Sequence, residues 1–142
     1  MKRHYQSEQE IKNIVRGFES CITGKDDFPH RDHLALAVWY SRDSNPTAAL
    51  NSMRASLHRF LEHHGCLANY HETMTVFWVK LVHETLSSLG AEGSLLEQTN
   101  AVVERWSDSG IVYEYYSKEM LESEAARRGW VEPDLKALTE GY

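Results

Sequence analysis

The sequence predicts an all-α fold, a compact bundle of about six helices running mostly up and down. Apolar residues recur at helical spacing over most of the chain, capping signals open several segments, and strand signals are weak. The stretch "GIVYEYY" has some strand character, but no second segment offers to pair with it.

The stretch "SEQEIKNIVRGFESCI" opens with Ser7 and carries Glu10 three residues on, the pattern of a capping box. Ile11, Ile14, Val15 and Phe18 then make one apolar face, and Gly24 closes the segment. A second helix is expected from Pro29 to about Arg42, since proline suits a first turn. Asn45 followed by Pro46 marks the start of a third helix that runs to His64 and stops at Gly65. The fourth spans about Tyr70 to Leu89, with Asn69 as its cap and Glu72 three residues in. Ser94 and Glu97 form another capping box, opening a fifth helix that ends near Ser107. The sixth covers Tyr113 to Arg128, and an extended tail occupies residues 128–142.

A chain of 142 residues with 42% hydrophobic and 25% charged residues reads as one soluble globular domain, residues 1–142. Its net charge of −6 argues against a phosphate-binding surface, so no nucleic-acid partner is expected. No apolar run approaches the roughly 20 residues of a membrane span. The basic start "MKRHYQSEQE" has no apolar stretch behind it, unlike a secretory signal. Cys21 and Cys66 form no CxxC pair, and a cytoplasmic, reducing location is expected.

The histidines carry the functional signal. At about 100° per residue, His30 and His33 lie on or beside the apolar face of the second helix. His64 falls within the apolar stripe of the third helix, and His71 within that of the fourth. Short connections make sequential helices antiparallel, which brings these four histidines to one pole of the bundle. Continuing the alternation adds Asp108, Tyr113, Glu114, Tyr115 and Tyr116 to that pole.

Imidazole suits zinc, iron and nickel, and a catalytic ion needs only three protein ligands. His30, His33 and His71 are the expected ligands of a divalent metal, with Glu72 or His64 as a fourth ligand or the proton acceptor. Tyr70, Thr75, Glu114 and Tyr115 are expected around the pocket. The pattern contains neither an HExxH motif nor a His-Asp doublet. Plainer roles compete: Glu72 and Asp32 suit a helix first turn, and Thr75 can bond back to the carbonyl of residue 71. The tyrosines, Trp39 and Trp106 fit a core as readily as a pocket wall, and the cysteines fit as small buried apolar groups. Two further functions compete with metal chemistry on a small molecule. One is a metal-free small-molecule binding module. The other is a metal-free acid–base enzyme, needing a histidine near Glu72 or Glu114.

The segments "FPHRDHL", "YHETMT", "YYSKEMLESEAAR" and "WVEPDL" resemble a family of small bacterial proteins of unassigned function. That family carries H-x-x-H-L and Y-H-E-T-x-T motifs and a W-x-x-P-D-L-like tail. The resemblance implies a helical protein and singles out His30, His33, Leu34, Tyr70, His71, Glu72, Thr73 and Thr75. It implies no activity or cofactor.

Overall fold

Five consecutive residues of one helix, Leu34 to Val38, are all buried, so that helix runs through the middle of the molecule with neighbours on every side. The structure is a computed structural model that describes residues 4–42, 44–90 and 92–138. The last four residues of the expected tail, and the first three of the chain, lie outside these. The central helix is α2 (His30–Ser41). Around it stand α1 (Glu8–Glu19), α3 (Pro46–His63), α4 (Glu72–Leu89) and α5 (Leu95–Trp106). Three short helices follow, α6 (Val112–Tyr115), α7 (Lys118–Leu121) and α8 (Glu124–Arg128). Single 3-10 turns at Leu67–Asn69 and Ser109–Ile111 lead into α4 and α6. Among the described residues there is no strand, and no helix is long and apolar enough to cross a membrane.

Several expected caps form. Ser7 accepts the Glu10 N–H, Asn45 accepts the Ala48 N–H, and Ser94 and Glu97 close a reciprocal capping box. Two expectations change. Helix α4 begins at Glu72 rather than Tyr70, because residues 67–69 close a 3-10 turn and Asn69 is spent inside it. His71 is the cap, its Nδ1 accepting the Met74 N–H at 3.1 Å. The sixth helix is not continuous. Ser117 accepts the Met120 N–H and Ser123 accepts the Ala126 N–H, so each serine ends one turn and opens another. Asp32 stands in the first turn of α2 as expected; it is buried there and accepts a hydrogen bond from the Tyr5 hydroxyl.

Two apolar clusters hold the fold. The larger joins α1 to α5 and includes Ile11, Phe18, Leu36, Phe60, Val82 and Val102. The smaller lies between α4 and the C-terminal segment and contains Phe77, Leu81, Val112, Tyr116 and Leu121. Helix α4 therefore buries two faces, one toward α2 and one toward α6–α8. The tail is tied down as well: Leu135 N–H reaches the Tyr115 carbonyl at 2.9 Å, and Asp134 accepts the Ser117 N–H at 2.9 Å.

Candidate functional site

The starts of α2 and α4, the loop before α2, the inner face of α3 and the 3-10 turn after α5 enclose a cavity of about 500 Å³. This is within the size range of small-molecule sites, roughly 300–1,000 Å³. Its inner walls are apolar: Phe28, Leu34, Met53, Leu57, Phe60 and Trp78. Its mouth is ringed by exposed Lys25, Asn69, Ser109 and Tyr113.

His30, His33 and His71 all line this cavity, together with Tyr70 and Thr75. Their hydrogen bonds separate them. His30 donates Nε2–H to the Trp106 carbonyl at 2.9 Å, an assignment the carbonyl compels because it can only accept. The His30 ring meets Trp78 edge-on at 4.7 Å between centroids. Burial lowers its pKa, partly offset by the Trp106 carbonyl and by Asp108. His33 packs against the Phe28 ring at 4.2 Å, and neither of its nitrogens has a hydrogen-bond partner among the described residues. Burial, with a smaller contribution from His30, drives its pKa down to about 4. The ring is therefore neutral near pH 7.

His71 is fully engaged. Its Nδ1 caps α4 and its Nε2–H is donated to the Leu121 carbonyl at 2.7 Å. No lone pair remains to bind an ion, so a metal at the three rings would require His71 to release its helix or its hold on α7. Thr75 donates to the His71 carbonyl at 3.0 Å, the local back-bond among the roles read for it.

Neither expected proton acceptor lines the cavity. Glu72 takes the Arg54 guanidinium in a two-pronged pair, with Nε at 3.0 and 3.1 Å from its two oxygens, and also accepts the Tyr70 hydroxyl at 2.6 Å. Burial alone would raise the Glu72 carboxyl, but these bonds hold it below the usual carboxylate range. The Tyr70 hydroxyl is pushed up to about 12 by burial and by the Glu72 carboxylate. His64 spends Nε2 on the Thr23 carbonyl at 3.0 Å, tying the loop before α2 to the end of α3. Glu114 and Tyr115 also lie outside the cavity wall. Glu114 pairs with Lys136 at 3.7 Å, and Tyr115 packs between Phe77 and Lys136.

Tyr70, His71, Glu72 and Thr73 of "YHETMT" thus have fastening roles. Tyr70, Glu72 and Arg54 bind α3 to the start of α4. Thr73 completes the set, donating to the Gly129 carbonyl at 2.7 Å while accepting the Val131 N–H at 3.3 Å. Among the described residues, no group of three or more His, Cys, Asp or Glu side chains is placed to hold a metal.

Phe28, Phe60 and Lys25 are wall residues that the sequence reading did not single out, while Tyr113 is one that helix alternation places at this pole. Phe28 had a usable signal, standing two residues before His30. Lys25 had none, because its position depends on how two loops meet. No family model, no curated protein and no solved structure matches this chain.

Proposed function

We propose that this protein is a metal-free binding module for a small, largely apolar organic molecule held in the cavity beside α2. One observation carries the reading: a half-buried imidazole, His33, lines an aromatic-walled chamber, and neither of its nitrogens is spent on a partner among the described residues. A few polar groups left open on a mostly apolar wall are what orient a small molecule in such a site. The occupied nitrogens of His71 and the paired carboxylate of Glu72 favour this over metal-assisted chemistry and over His–Glu acid–base catalysis. The free cysteines Cys21 and Cys66 suit a reducing compartment such as the cytoplasm.

The test is thermal unfolding with a panel of one- and two-ring aromatic compounds, each with and without EDTA. A ligand that binds only the native state raises Tm with its concentration. The expected result is a rise for a subset of compounds, unchanged by EDTA and lost in Leu57→Trp, whose larger side chain fills the chamber. If no compound raises Tm, the reading fails. If EDTA abolishes the rise, the metal reading replaces it.

A further inference from the structure

Resting on that reading, we infer that the ligand is an uncharged aromatic molecule bearing a hydrogen-bond donor, of the phenol type. Its O–H would be given to Nδ1 of His30, and its oxygen would accept from His33.

The polar groups on the cavity wall can be sorted by what the protein already uses. The Tyr70 hydroxyl proton goes to Glu72, that of Thr75 goes to the His71 carbonyl, and both His71 nitrogens are taken. Two rings remain. Because Nε2 of His30 holds its proton against the Trp106 carbonyl, Nδ1 carries a lone pair and no hydrogen. That Nδ1 has no partner among the described residues, and it can only accept. His33, one turn along the same helix, offers one donor and one acceptor when neutral. Residues three apart on a helix are neighbours, with Cβ atoms about 5–6 Å apart.

A carboxylate in the chamber would set its own lone pairs against Nδ1 of His30. A cation would find no carboxylate on the wall, whose only formal charge is Lys25 at the mouth. A hydroxyl on an aromatic ring fits both imidazoles: it donates once and accepts once, while Phe28, Phe60 and Trp78 enclose its apolar body. Burial, which lowers the pKa of both histidines, keeps the pair uncharged at neutral pH, with Asp108 opposing the shift at His30.

The decisive probes are 2-naphthol, its methyl ether 2-methoxynaphthalene, and 2-naphthoate, titrated at pH 7.5 by calorimetry or tryptophan fluorescence. The ether keeps the oxygen and removes the proton. Naphthol should bind about tenfold more tightly than the ether, the equivalent of one net hydrogen bond, and naphthoate should bind most weakly. In His33→Leu, which removes the donor to the oxygen that both probes carry, naphthol and ether should weaken together while the naphthol advantage, set by His30, persists. In the wild type, nitrogen NMR of His30 should show an Nε2–H tautomer whose Nδ1 signal moves with naphthol and not with the ether. That readout does not depend on a variant that folds. Equal affinity for naphthol and ether, or tightest binding of naphthoate, overturns the inference and leaves the cavity reading standing. Failure of all three probes to bind overturns both.

Discussion

His71 holds two elements at once: its Nδ1 accepts the Met74 N–H in the first turn of α4, and its Nε2–H grips the Leu121 carbonyl at the end of α7. Both bonds need the neutral ring with its proton on Nε2. The C-terminal segment is thereby fastened to the same residue that lines the cavity.

His71→Ala removes the cap and the clasp together. The expected loss is about 1–3 kcal/mol, combining a lost N-cap with a stranded carbonyl. His71→Asn restores a capping acceptor without reaching Leu121, and should recover about half of the loss. Urea unfolding measures both. Limited proteolysis should cut between residues 117 and 138 sooner in His71→Ala than in wild type. Equal cutting rates would show that the clasp does not restrain this segment.

The Arg54–Glu72 pair ties the middle of α3 to the start of α4, and Glu72 is the more buried partner. Arg54→Met should cost about 1–3 kcal/mol, since it leaves a partly buried carboxylate with only the Tyr70 hydroxyl. Glu72 has a depressed pKa in the folded protein, so its contribution is present above the ordinary carboxylate range and is lost as pH falls through the folded value. The gap between wild type and Arg54→Met should therefore be wide at pH 7 and narrow toward pH 3. A gap of constant size across that range would remove the charge-pair account.

His33 makes a separate pH dependence. Its pKa falls from 6.5 to about 4 on folding, so between those values the unfolded chain binds a proton that the native chain does not. Stability must then rise with pH across this window and drop as pH decreases through it. His30 acts in the same direction. His33→Leu should flatten the profile between pH 4.5 and 6.5, measured by denaturant unfolding at several pH values. Identical slopes in the two proteins would mean that His33 is not held neutral by its surroundings.

Tyr5 and Asp32 join the N-terminal segment to α2, with the Arg31 guanidinium 4.4 Å from the centre of the Tyr5 ring. Burial raises the Asp32 carboxyl, and the Tyr5 hydroxyl and Arg31 oppose that rise. Tyr5→Phe removes the hydroxyl and should destabilise by about 1–3 kcal/mol at pH 8. The loss should be smaller near pH 5, where an unpartnered Asp32 can take up a proton. A larger loss at pH 5 would contradict this account.

Much of the bundle was legible because helix starts are local events. Ser7, Asn45 and Ser94 each satisfy an amide three residues away, and such bonds depend on nothing beyond one turn of chain. Where the structure departs from the expected helices, a local competitor wins: Ser117 and Ser123 divide the last helix, and a 3-10 turn displaces the cap of α4 to His71. The pole that carries the cavity was legible too. His30, His33 and His71 follow from helical spacing and short connections, and all three reach the same cavity wall.

Their chemical state was not legible. The groups that engage His30, His64, His71 and Thr73 are the carbonyls of Trp106, Thr23, Leu121 and Gly129. Every residue carries a carbonyl, so the sequence holds no mark of which one will arrive beside a given imidazole. Side-chain pattern alone determined the helices and the end of the bundle at which the histidines gather. Only the packing of distant segments decided which ring nitrogens are spent on the backbone and which stay open, because those bonds span tens of residues.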